Sequence, residues 1–206
     1  MKDKIGIYGG TFDPIHFGHL NLAIQLKEKH ALKEVWFCPA RVSPHKLDKQ
    51  AAADSRHRLE MVATALVPVP EFKLLYIETQ REGPSYTVDT LRFLYEQEIK
   101  RALPRQLHLL MGDDQLAAFL KWKEPEQIVQ LAPPLIGCRQ ENCRWEAGED
   151  PISQAILRGM TVTSIMEISS TEIRHRIAKG LYCGHWVPEK VLDYIQKHRL
   201  YSKDIY

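Results

Sequence analysis

The chain has no long apolar run and almost no net charge, and each of these absences excludes a class of protein. No stretch of its 206 residues approaches the ~18 consecutive apolar residues that a membrane-spanning helix needs. The 28 basic and 26 acidic residues nearly cancel to +2, so the composition does not indicate a polycationic face for duplex nucleic acid. We therefore expect no membrane and no nucleic acid as a partner. The composition still allows a local positive pocket for a small phosphorylated molecule.

Cysteine is scarce and scattered. The four cysteines, Cys38, Cys138, Cys143 and Cys183, lack the paired spacing of a zinc site, so we expect reduced, structural thiols. The N-terminal MKDK runs directly into a strand pattern and does not have the form of a signal peptide, which favours a cytoplasmic protein. With 44% hydrophobic residues, we predict one domain over residues 1–206 with a C-terminal helical subregion over 165–206. The sequence leaves open whether the protein forms a homo-oligomer.

Short apolar runs alternate with helical patterns along the whole chain. The runs read as strands, and they are KIGIYG, EVWFCP, FKLLYIE, QLHLLMG, PPLIGC and MTVTSI. Helices are predicted between them, over 17–30, 54–66, from 85 past 94, on both sides of position 125, and over 170–179 and 188–198. This rhythm predicts an α/β fold, a Rossmann-like doubly wound parallel sheet of about six strands with helices on both faces. Exposed loops are expected over 39–53 and 140–153.

The stretch GIYGGTFDPIHFGHL follows the first predicted strand and has the composition of a phosphate-binding turn. Gly9 and Gly10 lack a Cβ, which lets backbone N–H groups approach a ligand closely. His16 and His19 are three positions apart, so both imidazoles can lie on one side of the first turn of a helix that begins near Phe17. The free amides and positive dipole end of that helix favour an anion.

Simpler explanations exist for each part of this stretch. A pair of glycines after a strand is often only a tight turn, and one histidine near a helix start is usually a surface residue. A zinc site would need further ligands that the neighbouring sequence does not supply, so we expect no metal held by the protein itself. Neither the Walker G-x-x-x-x-G-K-[ST] pattern nor the Rossmann G-x-G-x-x-G pattern occurs.

A second phosphate-binding pattern lies near the other end of the chain, in ISSTEIRHRIAKG. Ser169 and Glu172 match a capping box, which places Ser170 and Thr171 at a helix start with Arg174 one turn further on. Hydroxyls, free amides and a guanidinium can together hold a polyphosphate, although an ordinary capped surface helix has the same pattern. Lys46, in the loop after the second strand, is a further candidate for a phosphate contact, and its alternative is a solvated lysine.

Together, GGTFDPIHFGHL and ISSTEIRHR resemble the nucleotidyltransferase superfamily that carries an H-x-G-H and a late S-S-T-x-x-R element. Within it the chain looks like the bacterial nicotinate-nucleotide adenylyltransferases. The likeness runs over nearly the whole sequence, through PHK, SYTVDTL, MGDDQL, Trp122 and VPEKVLDYIQKHRLY in the family's order. The phosphopantetheine adenylyltransferases are shorter and usually lack the Trp-containing section. The chain departs from the family at CRQENCRW, residues 138–145, and we assign no site residue to 140–150.

The resemblance implies roles for particular residues. Contacts to ATP phosphates are implied for His16, His19, Lys46 and Arg174, and the nucleotide site would be lined by Gly9, Gly10, Thr11, Phe12, Gly18, Ser170 and Thr171. Binding of nicotinate mononucleotide is implied for Thr87, Gly112, Asp114 and Trp122, with Asp114 near a ribose and Trp122 beside the pyridine ring. The alternative for Trp122 is a core tryptophan.

The resemblance also implies a reaction, in which the phosphate of nicotinate mononucleotide attacks the α-phosphorus of ATP to give deamido-NAD and pyrophosphate. Mg²⁺ is expected to arrive on the phosphates of ATP. The histidines are expected to act as donors and cations, with no covalent intermediate. The alternatives are transfer to phosphopantetheine or to nicotinamide mononucleotide, and a non-catalytic nucleotide sensor that keeps the pocket.

Overall fold

A six-stranded parallel sheet forms the centre of the protein. The computed structural model describes residues 2–44, 51–138, 145, 148–164 and 166–202. The strands are β1 (Lys4–Gly10), β2 (Glu34–Pro39), β3 (Phe72–Leu74), β4 (Gln106–Gly112), β5 (Pro134–Cys138) and β6 (Met160–Val162). They lie in the order β3-β2-β1-β4-β5-β6, and every neighbouring pair is parallel. The strand order reverses direction between β1 and β4, and ligands of such sheets bind beyond the carboxyl ends of the strands at that point.

The helices of the described residues pack on both faces of this sheet. They are α1 (Phe17–Lys29), α2 (Ser55–Leu66), α3 (Ile77–Gln80), α4 (Thr87–Ile99), α5 (Leu116–Phe119), α6 (Pro125–Leu131), α7 (Pro151–Gly159), α8 (Ser170–Ala178) and α9 (Glu189–Lys197). Side-chain caps start two of them. The Asp54 carboxylate accepts from the Arg56 amide (2.7 Å) before α2, and the Asp150 carboxylate accepts from the Ser153 amide (2.9 Å) before α7. Of the described helices, none is both long and apolar enough to cross a bilayer.

Alternation along the central strands divides the core into two layers. Ile5 and Ile7 of β1 pack with Leu107 and Leu109 of β4 on the face covered by α4, α6 and α7. Tyr8 points to the opposite face, where its neighbours come from α1, α2 and α9. Because both faces are covered, the strands read as nearly continuous apolar runs, and the predicted Rossmann-like α/β fold is confirmed.

Two predicted strands are shorter than the sequence-based expectation. The strand in MTVTSI ends at Val162. In the run FKLLYIE, β3 ends at Leu74 and α3 begins at Ile77, and this helix places Glu78 in a buried polar cluster. The expected loop over 140–153 is also shortened, since α7 begins at Pro151 behind the Asp150 cap. An Asp followed by Pro is a helix-start pattern that could have located this helix.

Candidate active site

Two stacked histidines open α1 at the carboxyl edge of β1. His16 occupies the N-cap position and is 5% exposed, and its ring lies on that of His19 with 3.7 Å between centroids and 25° between planes. The His16 backbone N–H donates to His19 Nδ1 at 3.3 Å. Because Nδ1 accepts this bond, the neutral His19 ring carries its proton on Nε2. His19 is therefore held as an Nε2–H donor at the switch point of the sheet.

Burial keeps both imidazoles neutral. Desolvation lowers the pKa of His16 to about 4. It also lowers the pKa of His19 well below its ordinary value, and the neighbouring His16 charge adds to that effect. The two histidines are therefore uncharged near pH 7 in this structure, and the expectation that they act as cations toward the phosphates of ATP stays a prediction. Their role as hydrogen-bond donors is compatible with the neutral state.

The loop between β1 and α1 leaves space at its start and supports His19 at its end. A Cβ placed on Gly9 would project into open space, so a ligand can approach the backbone there. Phe12 has a positive φ of 49°, and its buried ring packs edge-on against His19 at 5.1 Å. At Gly18, a Cβ would lie 3.0 Å from His16 Nδ1, so a side chain there would crowd the histidine pair. The Phe12 ring thus supports His19 from the core and does not face solvent.

The start of α8 meets this loop. Ser170 Oγ donates to the Pro14 carbonyl at 3.0 Å, and Arg174 Nη1 donates to the Asp13 carbonyl at 2.7 Å. Arg174 Nη2 donates to Thr171 Oγ1 at 3.2 Å, so two of the five N–H donors of the guanidinium are engaged by these bonds. The structure therefore brings the early and late sequence elements together.

The predicted capping box of α8 is not formed. Ser169 is the N-cap residue, but among the described residues its side chain makes no capping hydrogen bond. The hydroxyl of the next residue, Ser170, instead bonds across to the first loop. Local pattern therefore located the helix start correctly, while a tertiary contact determines which serine is used.

Asp13 is a buried junction that sequence reasoning missed. Its carboxylate accepts from the amides of Ala52 (2.7 Å) and Ala53 (3.1 Å) and from the Tyr201 hydroxyl (2.7 Å). Arg174 Nη1 lies 3.7 Å from the same carboxylate. One side chain thus joins the first loop, the approach to α2, α8 and the C-terminal segment. An Asp before Pro is typical of a turn, so no local signal indicated this role.

Arg58 is a second missed residue, and it is 1% exposed within α2. Its guanidinium donates to the carbonyls of Thr11 and Ala40, each at 2.7 Å, and of Arg41 at 3.1 Å, while Nε donates to Ala53 at 3.2 Å. Burial lowers the pKa of Arg58, and the nearby Asp13 charge opposes that shift. A buried cation therefore fixes the loops after β1 and β2 through their backbones.

Gly112 and Asp114 lie where β4 ends, next to β1. A Cβ on Gly112 would stand 2.5 Å from Asp114 Oδ1, so glycine leaves room for the carboxylate to fold back over the strand end. The Asp114 charge, after burial, contributes to raising the pKa of Tyr8, whose ring is 6.3 Å from that of His19. Asp114 therefore lies on the histidine side of the switch point.

Thr87 and Trp122 lie in segments that contact each other. Thr87 is the first residue of α4, and the preceding Tyr86 ring has Lys123 Nζ above it at 4.8 Å. Lys123 also bonds Asp89 of α4 at 3.1 Å. The half-buried Trp122 packs edge-on against Phe119 with 5.4 Å between centroids, so core packing accounts for part of its surface.

Two points remain, the position of Lys46 and the search for a metal site. Lys46 belongs to a segment that the structure does not describe. In the part of the chain that it does describe, no group of three or more His, Cys, Asp or Glu side chains could hold a metal ion.

Comparison with known proteins shows the family to which the chain belongs. Residues 7–176 match the cytidylyltransferase-like family. A Dictyoglomus turgidum protein named probable nicotinate-nucleotide adenylyltransferase is 41% identical over 202 residues, covering 98% of this chain and 97% of that protein. The nicotinate-nucleotide adenylyltransferase of Bacillus subtilis is 35% identical over 200 residues, covering 97% and 98%.

A solved structure shows the same fold. The nicotinic acid mononucleotide adenylyltransferase of Plasmodium falciparum, complexed with NaAD, aligns with a TM-score of 0.74 at 22% identity and covers 97% of both chains. At that identity the likeness establishes the architecture alone. The relatives with more than a third of their residues identical carry the assignment further, because they match over almost the full length. The chain belongs to the cytidylyltransferase-like family and, within it, to the nicotinate-nucleotide adenylyltransferases.

Proposed function

We propose that the carboxyl edge between β1 and β4 is where this protein transfers the adenylyl group of ATP to nicotinate mononucleotide. One observation carries the proposal. The His16 and His19 pair, at the start of α1, and Arg174, on α8, meet around one loop although more than 150 positions separate them in the chain. Hydrogen-bond donors from two helix starts suit a polyphosphate.

The reaction needs alignment and charge stabilisation more than proton transfer. A phosphate oxygen of nicotinate mononucleotide forms a bond to the α-phosphorus of ATP, and the bond from that phosphorus to the bridging oxygen breaks. Pyrophosphate leaves with the electron pair, and deamido-NAD is formed. The attacking phosphate is already anionic near neutral pH, so a general base adds little. We propose that the His19 Nε2–H and the Arg174 donors stabilise charge on the transferred and departing phosphates.

Mg²⁺ is proposed to enter as part of the substrate, bound to the phosphate oxygens of ATP. This cation keeps several waters and needs few protein ligands. Asp114 lies at the end of β4, and we assign its carboxylate to a ribose hydroxyl, as the family resemblance implies, and not to the cation.

The acceptor nucleotide is proposed to lie between the start of α4 and Trp122. Thr87 stands at the amino end of a 13-residue helix, whose first-turn amides and dipole favour a carboxylate such as that of nicotinate. The aromatic face of Trp122 suits a flat pyridine ring. A nicotinamide ring offers an amide in place of the carboxylate, so this arrangement favours the acid.

The test supplies the purified protein with MgATP and, in separate reactions, nicotinate mononucleotide, nicotinamide mononucleotide and phosphopantetheine. Products are identified by chromatography with mass spectrometry, and pyrophosphate release is followed in parallel. We expect deamido-NAD to form at the highest kcat/KM. Product from another acceptor alone, or no pyrophosphate with any acceptor, would contradict the proposal, and the second result would favour a nucleotide sensor.

His19→Ala tests the donor role. Loss of one preorganised donor to a developing negative charge typically lowers kcat by about 100-fold or more, whereas nucleotide binding should weaken much less. His175→Ala, which removes an exposed histidine from α8, is the matched control and should keep the wild-type kcat. An unchanged kcat for His19→Ala would contradict the assigned role.

A further inference from the structure

Glu78 is a buried carboxylate that the proposed chemistry does not use. It lies in α3 and is 6% exposed. Its Oε1 accepts from the hydroxyl of Thr90, in the first turns of α4, at 2.8 Å. Arg81 Nη2 donates to the same Thr90 hydroxyl oxygen at 3.2 Å. The carboxylate is therefore attached directly to the helix that carries Thr87.

The other contacts of Glu78 are made with β2 and with the segment just before α4. The side chains of Ser85, two positions before α4, and of Cys38, near the end of β2, also interact with its carboxylate. Ser85 Oγ accepts from the Arg41 amide at 3.0 Å, and the Ser85 amide donates to the Val42 carbonyl at 2.9 Å. Glu78 thus contacts the start of α4 directly, through Thr90, and is linked to the loop after β2 through Ser85.

The energetics of this arrangement require its hydrogen bonds. Desolvation raises the pKa of Glu78, while the Thr90, Ser85 and Cys38 donors and the Arg81 charge oppose that rise. A buried carboxylate is tolerated only when such donors satisfy it, so removal of one partner leaves an expensive unsatisfied group. Each bond that Glu78 accepts therefore fixes the position of the donor's segment.

We propose that Glu78 is a positioning residue for the acceptor nucleotide, because it holds the first turns of α4, with Thr87, against the loop that follows β2. The inference rests on the proposed function. Thr87 precedes Thr90 by three positions, so a shift of the Thr90 turn moves Thr87 with it. The loops that hold the ATP side are fixed separately, by Arg58 and Asp13. Loss of Glu78 should therefore affect the acceptor more than ATP.

Steady-state kinetics of Glu78→Ala, with each substrate varied in turn, test the inference. We expect the KM for nicotinate mononucleotide to rise about tenfold or more, since misplacement of a binding group by about 1 Å can cost up to 100-fold. The KM for ATP should change less than about twofold. Thr90→Val removes the partner hydroxyl at nearly constant volume and should raise the KM for nicotinate mononucleotide. Thr90→Ser keeps the hydroxyl and should therefore keep the wild-type KM. This pair keeps the test decisive if Glu78→Ala does not fold.

Glu98→Ala is the matched control. Glu98 is a buried carboxylate at the opposite end of the same helix, where it accepts from the Arg105 amide at 3.1 Å and from the Arg105 guanidinium. Its removal should lower the Tm without changing the ratio of the two KM values. The inference is overturned if Glu78→Ala and Thr90→Val leave that ratio unchanged, or if Glu98→Ala changes it equally. Wild-type protein that forms no deamido-NAD would instead refute the proposed function.

Discussion

The neutral state of His16 makes the stability of the fold depend on pH. Burial lowers its pKa from an ordinary value of 6.5 to about 4 in the folded protein. Between these values the unfolded chain binds the proton and the folded protein does not, so the free energy of unfolding falls as the pH is lowered. Integration of this difference from pH 7 to pH 5 gives a loss of about 2 kcal/mol from His16 alone. The lowered pKa of His19 acts in the same direction.

His16→Asn isolates this contribution. Asparagine cannot titrate and is a favoured N-cap residue, so α1 can still begin at Phe17. Urea unfolding followed by tryptophan fluorescence, at pH 7 and pH 5 and constant ionic strength, should show a loss of stability smaller in the variant by about 2 kcal/mol. The half-buried His30 and the buried His108, whose pKa values are also lowered, contribute equally to both proteins and cancel.

His175→Asn controls for the loss of one imidazole, because His175 is an exposed residue of α8. The decisive quantity is the difference between pH 7 and pH 5, since His16→Asn also changes packing and therefore the stability at any single pH. If His16→Asn and the wild type lose the same free energy over this range, His16 is not held neutral by burial. The account of the histidine pair as uncharged donors would then be refuted.

Two further predictions concern the buried groups that build the loop. Tyr201→Phe removes the 2.7 Å hydrogen bond to the Asp13 carboxylate and should lower the free energy of unfolding by about 2 kcal/mol, or the Tm by about 4–8 °C. The control Tyr182→Phe, at a residue 74% exposed, should leave the Tm almost unchanged. Equal Tm values for the two variants would contradict the role of this bond. Arg58→Met leaves four buried or part-buried carbonyls, from three segments, without this donor and should lower the free energy of urea unfolding by at least about 3 kcal/mol. The exposed neighbour Arg56→Met should change it little, and a loss below about 1 kcal/mol for Arg58→Met would refute the role of Arg58.

Much of the fold could be predicted because parallel strands covered on both faces have a simple pattern. Four of the six apolar runs became strands near their predicted limits, and the helix starts near Phe17 and Ser55 follow from sequence-local signals. The exceptions are MTVTSI, whose strand ends at Val162, and the run at 72–78. Apolar composition alone cannot distinguish a strand from a short helix, and the burial of Glu78 depends on donors supplied by Ser85 and Thr90.

The site was predictable to the extent that its groups are marked by local motifs. Both histidines stand at a helix start as expected, and Arg174 lies at the same loop. Asp13 and Arg58 could not be found in this way. Their partners lie between 5 and 188 positions away, and an aspartate before proline or an arginine within a helix is ordinarily solvated. Only tertiary structure shows that these two charges are buried.

Asp13 explains why distant segments can share one site and why Arg174 serves two purposes. The Arg174 guanidinium donates to the Asp13 carbonyl, stands 3.7 Å from its carboxylate, and has further N–H donors for an anion. A substitution of Arg174 therefore weakens the loop and the phosphate site together, so loss of activity alone would not separate these effects. Tyr201→Phe perturbs the same junction while Arg174 stays intact. If that variant loses stability but keeps the wild-type KM for ATP, loosening the junction is not enough to weaken nucleotide binding. A rise in this KM on replacing Arg174 with lysine, which keeps the charge but not the planar fork, would then be attributable to the phosphates.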